Sequence, residues 1–294
     1  MDSHINYPAA RSKKIIHAAP QFRPIKRGAR KKGIERIYTA KNGDTLTIAI
    51  FHELDIADQD LLLCLLAIAR AEDRGVYINE NPESEVGIKL REELNLGGSA
   101  ETAVALMVRA TGYEILNELG RPTNSNSYNW LRSSLKRLSR VSFDYDCKKG
   151  FWSFNLLSVS GLYGEKGEIR DISICINPLS AQAILGNEEG YVLVNRTERS
   201  KLDKSKTSSE SKALHYVLSG LVDMGQERVL NVDMLADKVY SRYDENITAG
   251  AIRIRRMKLV SACAEINKLG YWSCLPSKKG KNTVLTVKRK RRKV

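Results

Sequence analysis

Arg132, Lys136 and Arg140, spaced four residues apart, are the first feature with chemical reach in this 294-residue chain. At the α-helical period they share a face with Asn129 and Ser133, and no acid interrupts it. Leu131, Leu135 and Leu138 fall on another face and would anchor the helix. A merely solvated helix mixes charge signs to form i,i+4 pairs. A face of Arg, Lys, Asn and Ser instead suits phosphates and base edges, Arg pairing with guanine and Asn with adenine. A second such helix is expected in "AIRIRRMKLVSACAEINKLGYW", residues 251–272. Its front half carries Arg253, Arg255, Arg256 and Lys258, and its back half an apolar stripe of Leu259, Cys263, Ile266 and Leu269. Cations near a helix N-terminus oppose the helix dipole, so an anionic partner would compensate them. Lys148 and Lys149 in "CKKG", and Lys278, Lys279 and Lys281 in "SKKGK", sit at expected hairpin tips, where lysines reach backbone phosphates.

The charge distribution points the same way. The chain carries a net +14, and residues 1–34 hold nine Lys/Arg against one acid. Residues 288–293, "KRKRRK", add six more cations, which leaves a neutral body between two basic arms. That body is polarised: residues 51–118 hold 14 acids and five bases, whereas 251–287 hold eight bases and one acid. Segregated positive charge favours a polyanion, most simply nucleic acid. Either arm alone reads equally well as a solvated tail.

Two stretches must position these residues, and they repeat one order. The first runs strand (105–109), short helix (112–119, capped by Thr111), the turn "RPTNSNS", the long basic helix (128–140) and the hairpin "VSFDYDCKKGFWSFNLLSV". The second runs "RVLNV", the helix "VDMLADKVY" with Asn231 as its cap, a polar turn, the long basic helix and the hairpin "YWSCLPSKKGKNTVLTVK". Strand, helix, turn, helix, hairpin is the order of a winged helix-turn-helix. Ahead of the first unit, "RIYTAKNGDTLTIAIF" reads as a hairpin about Asn42-Gly43. A buried helix follows, with Asp55 or Asp58 as its cap and Leu61–Leu66 apolar all round. The expected fold is α+β: a flexible basic arm (1–34), two tandem winged-helix domains (35–187 and 188–287) and a basic tail (288–294).

Catalytic patterns are missing. "GEKGE" and "GKNT" fail the Walker A spacing, the G-x-S-x-G elbow is absent, and the four histidines do not cluster. The five cysteines form no C-x-x-C pair and read as reduced structural thiols. No apolar run is long enough to span a bilayer. The expectation is a cytoplasmic, non-enzymatic protein without metal or cofactor.

From "ISICINPLSAQAIL" onward the chain resembles the IncQ-type plasmid replication initiators, the RepC family. "INPLSAQAI" (residues 176–184) is the most specific segment; "INKLGYW" (266–272) and "VRATGYEILNELG" also match. The resemblance spans roughly residues 25–290, and the closing "KRKRRKV", which also looks like a nuclear-import cluster, departs from it. It implies two winged-helix domains that bind tandem direct repeats (iterons) in double-stranded DNA at a plasmid origin. Local duplex opening and recruitment of a plasmid-encoded replicative helicase are likewise implied, and the residues leave both a monomer and a homodimer open. A repressor that binds an operator without strand opening, and an architectural protein without sequence preference, are the alternatives the residues leave open. The acidic stretch fits no DNA face. Glu83, Glu85, Glu92 and Glu93 in it are candidates for docking the helicase or a second copy, against the plainer reading of a solvated helix and acidic loop.

Overall fold

Residues 9–18, expected in a mobile arm, instead open the folded structure as strand β1 (Ala9–Lys13) and helix α1 (Lys14–Ala18). The computed structural model describes residues 5–19, 21–25, 30–40, 42–71, 74–164, 169–185, 191–205, 207–240, 247–279 and 282–291. β1 pairs antiparallel with residues 191–195, and Ala10, Ser12, Ile16 and Phe22 are buried. Elements of five residues are too short to show a period, and the pairing partner lies far along the chain. Two of the arm's cations are also engaged: Arg23 pairs with Glu53, and Arg30 with Asp55 and Asp58.

β2 (Lys32–Thr39) and β3 (Thr45–His52) form the expected hairpin, and α2 (Ile56–Arg70) follows. Both cap candidates serve α2 together in a capping box: Asp55 accepts from the Asp58 amide at 2.9 Å, and Asp58 accepts from the Asp55 amide at 3.1 Å. β4 (Gly75–Ile78), α3 (Glu85–Glu93) and β5 (Gly97–Gly98) fill the stretch that carries no clear pattern. Then come β6 (Ala105–Ala110), α4 (Gly112–Glu118, capped by Thr111), α5 (Ser125–Leu138, capped by Asn124) and the hairpin β7 (Val141–Cys147) and β8 (Gly150–Asn155). The hairpin's second strand does not run on to Val159. Leu156 and Leu157 are both buried, so alternation breaks, and β9 (Leu157–Tyr163) joins a different sheet. β10 (Ile169–Ile176) and α6 (Pro178–Leu185) complete this half.

β11 (Tyr191–Asn195), α7 (Arg196–Lys201), a 3₁₀ turn (Leu202–Lys204) and α8 (Ser208–Leu221) lead into the second half. β12 (Glu227–Asn231), α9 (Val232–Tyr240), α10 (Ala249–Asn267), β13 (Trp272–Lys279) and β14 (Asn282–Arg289) follow in the expected order. Asn231 caps α9, accepting from the Asp233 amide at 2.7 Å.

The two halves differ in how that shared order is wired. In the second half β12 joins its own hairpin, giving the sheet β12-β14-β13. In the first, β6 leaves the hairpin and pairs with β4 and β10, in the sheet β4-β6-β10-β9. The β7–β8 hairpin is flanked instead by β3 and β5, in the sheet β2-β3-β7-β8-β5. Side-chain burial explains the split. β6 is buried at every position but Arg109 and needs cover on both faces, whereas β12 is exposed from Glu227 to Val229.

The expected basic tail begins later than residue 288. Arg289 belongs to β14 and is buried, donating to the carbonyls of Ser219 (3.3 Å) and Leu193 (3.2 Å) with its guanidinium 4.8 Å from the Trp272 ring. Its fork of donors thus closes the C-terminal end of α8. Residues 292–294 lie outside the described residues.

Candidate nucleic-acid interface

α5 is held by a buried carboxylate. Asp58, fully buried at the start of α2, accepts from Arg137 Nη2 at 2.6 Å, from Arg30 Nη1 at 3.2 Å and from the Ser134 hydroxyl. Together with Leu131, Leu135 and Leu138 this fixes the rotation of α5 about its axis. Asn129, Ser133 and Lys136 are then exposed, and Arg132 is half-buried beside them. Arg140 departs from the expected helix: Ser139 is the C-cap, so Arg140 lies one residue beyond, exposed, with its guanidinium 5.1 Å from the Phe51 ring. Helix α5 starts earlier than expected because Asn124 caps it, accepting from the Ser127 amide at 3.0 Å. The neighbourhood is electropositive. His52 is held below its ordinary pKa by burial first, then by Lys32, Arg140, Arg137 and Arg30. Arg121, which precedes α5, stacks 3.6 Å over Trp130 and braces the loop.

α10 divides as its sequence implies. Leu259, Ala262, Cys263 and Ile266 are its buried residues, so the turns before Leu259 carry no buried side chain. Thr248 caps the helix, accepting from the Ala251 amide at 3.2 Å, and no acid lies in the first turn. Arg253 is exposed between Ile254 and Gly250, and Ile254 and Met257 are exposed too. The other cations have protein partners. Arg255 lies 5.1 Å over Tyr240, Arg256 donates from Nη2 to Asp233 at 2.8 Å, and Lys258 pairs with Glu210 at 2.5 Å. The Arg256–Asp233 pair is about half exposed on both sides (48% and 43%), so it is readily exchanged for a stronger anion. Asp233 and Glu210 come from other elements, which is why the helix sequence alone gives no sign of them.

Lys148 and Lys149 are exposed at the β7–β8 turn, where Gly150 has φ +138°. Lys278 is exposed near the end of β13 and Lys279 closes that strand, while Lys281 lies outside the described residues.

Sequence reasoning gave no sign that several cations of the neutral body are used internally. Arg196 pairs with Glu118 at 3.1 Å, and Arg199 and Lys212 grip Asp60, the lysine at 2.8 Å. The acidic stretch 51–118 splits accordingly. Glu53, Asp55, Asp58, Asp60, Glu114 and Glu118 meet arginines or lysines of the fold. Glu83, Glu85, Glu92 and Glu93 are exposed, beside exposed Val86 and Ile88. No group of His, Cys, Asp and Glu among the described residues is arranged to hold a metal ion. Burial pushes the Cys64 and Cys175 thiols up to about 12, so both stay protonated. No helix among the described residues is long and apolar enough to cross a membrane.

The fold places the chain in a recognisable class. It is similar to a crystal structure of selenomethionine-derivatised domains 2 and 3 of RctB, with a TM-score of 0.53 and 13% identity over 94% of this chain and 97% of that one. A second crystal structure of RctB domains 2–3 matches with a TM-score of 0.50 and 13% identity, covering 95% of this chain and 97% of that one. The family description "Replication protein C (RepC)" matches residues 6–285, and the chain belongs to that family, a family of plasmid replication initiators. DNA binding follows from that membership. No curated protein matches the sequence.

Proposed function

We propose that this chain is a non-enzymatic, sequence-specific binder of double-stranded DNA that initiates plasmid replication at tandem direct repeats. It would be of the IncQ type, with residues 35–187 and 188–287 as two winged-helix units, acting in the cytoplasm. The observation that carries the reading is α10. A capped helix with unburied, cation-rich N-terminal turns, a packed C-terminal half and a following hairpin in the sheet β12-β14-β13 has the layout of a recognition helix and wing. α5 with the β7–β8 hairpin supports a second reader, although its sheet is wired differently. Asn129, Arg132, Ser133, Lys136 and Arg140 would serve the first reader, and Arg253, Arg255, Arg256 and Lys258 the second. Lys148, Lys149, Lys278, Lys279 and Lys281 would touch phosphates from the wings. Origin opening and recruitment of a plasmid-encoded helicase complete the proposal. Exposed Glu83, Glu85, Glu92 and Glu93 beside Val86 and Ile88 support a protein-docking surface for that helicase or for a homodimer partner.

The test is fluorescence anisotropy on a tandem-repeat origin duplex and a scrambled duplex across a salt series. Strong preference for the repeats, with a salt slope reporting on the order of ten phosphate contacts, is expected. Equal affinity for the two duplexes would overturn the assignment.

A further inference from the structure

A partly open, largely apolar cavity of 360 Å³ lies where the two halves meet. Its walls come from α1, the β2–β3 hairpin, α8 and α9, with Phe22, Val192 and Val217 among the apolar lining. Both its size and its place between structural units are typical of small-molecule sites. The polar groups in its wall are incompletely matched. Lys238, on α9, is half-buried, and among the described residues the Tyr38 ring, 5.7 Å from its ammonium, is the partner that faces it. Burial lowers its pKa. Asp44, the acid among the lining residues, is already engaged by the Tyr145 hydroxyl (2.7 Å) and the Asn42 amide (2.8 Å). Two buried acceptors of the wall also lack donors among the described residues. His17 stacks on Tyr216 and is pushed down to about 3, mainly by burial, so it is neutral. Its Nε2 proton goes to the Tyr216 carbonyl at 2.7 Å, which leaves Nδ1 as an acceptor without a partner. Gln21 donates to the Ile16 carbonyl at 2.6 Å, and its Oε1 is likewise unpartnered. Buried polar atoms without partners are rare in folded proteins.

We infer that this cavity is a binding site for a compact, mainly apolar monocarboxylate that also carries an N–H or O–H donor. The carboxylate would pair with Lys238, the apolar body would fill the space beside Phe22 and Val217, and the donor would be offered to His17 Nδ1 or Gln21 Oε1. One half-buried ammonium matches one negative charge; a dianionic phosphate would keep an uncompensated charge in apolar surroundings. Lys14 is exposed at the mouth, where water screens it.

Isothermal titration of the full chain with indole-3-propionate and with 4-hydroxyphenylpropionate tests this. At least one should bind with one-to-one stoichiometry and a Kd below about 1 mM. Lys238→Met should weaken that binding tenfold or more, and Val217→Trp, which fills the space, should abolish it. Circular dichroism and thermal unfolding of both variants verify that they fold. The uncharged analogue 3-methylindole should bind at least tenfold more weakly than indole-3-propionate. No saturable binding of either acid, or binding that survives both substitutions in folded protein, would overturn the site. Because the readout is ligand binding without DNA, the outcome is independent of the proposed origin recognition.

Discussion

Lys136 and Asn129 stand on the same exposed face of α5, yet the proposed roles make them differ in a measurable way. Lys136→Ala should weaken binding to all duplexes alike and lower the salt slope by about one contact. Asn129→Ala should cost about 1–3 kcal/mol on the cognate repeat alone, with little change on scrambled DNA. Anisotropy titrations of both variants distinguish the roles, and identical losses on both duplexes would remove Asn129 from base recognition. His52 offers a reporter that needs no substitution. Burial and four nearby cations hold its imidazole below the ordinary 6.5. Phosphates brought close by DNA favour the imidazolium, so its pKa should rise on binding, and affinity should increase as pH falls through that range. Proton NMR of the His52 ring with and without the repeat duplex checks this; an unmoved pKa would place the duplex away from the end of α5.

At the scale of elements, the orientation of α5 depends on Asp58 as much as on its leucines. Asp58 is buried, closes the α2 capping box with Asp55 and binds Arg137 and Arg30. Asp58→Ala would strand two guanidinium groups and open the capping box, with an expected loss of roughly 3–5 kcal/mol in chemical denaturation. Arg137→Met, which removes the cation while keeping apolar bulk, should cost less. On α10 the anchor is the stripe from Leu259 to Ile266, and the cap is a separate device. Thr248→Ala should lower stability by about 1 kcal/mol. It should also reduce DNA affinity, because the turns it caps are the ones without core contacts. A variant of unchanged DNA affinity and reduced stability would show that those turns are not the reading surface.

Across the whole molecule, the halves are joined by β1 pairing with β11 and by the ion pairs of Asp60 and Glu118 with α7 and α8. Asp60 is largely buried, which alone would raise its pKa, but Arg199 and Lys212 bring it from 3.8 down to about 2. A folded pKa below the unfolded one means the carboxylate's contribution is fully present above about 3.8 and fades as pH falls toward about 2. Asp60→Asn should therefore be less stable than the natural chain at neutral pH. That gap should shrink across pH 4 to 2 in urea unfolding series; a gap constant down to pH 2 would contradict the pairing. Gly220 makes the same junction possible in another way, since a Cβ there would come within 2.6 Å of the His17 ring.

How much of this is legible without coordinates depends on the distance over which each feature is decided. Amphipathic spacing and capping are local, so "YNWLRSSLKRL", Thr111, Asn231 and the apolar stripe of α10 declare their helices directly. The pairing of opposite charges is not local. Arg137 and Lys136 are adjacent in sequence, yet one is held by a carboxylate from α2 and the other faces water. Desolvation inside the assembled core, rather than residue type, makes that assignment. Likewise β6 and β12 occupy the same place in two similar orders, but sheet membership went to whichever neighbours could cover their apolar faces. The N-terminal strand and the junction cavity exist only once distant segments have met. Local periodicity and capping thus determined α2, α4, α5, α9, α10 and the hairpin turns, and that two of these helices are basic. Tertiary packing alone decided which of their cations remain available to a partner, because a charge is available only where no buried counter-charge has already claimed it.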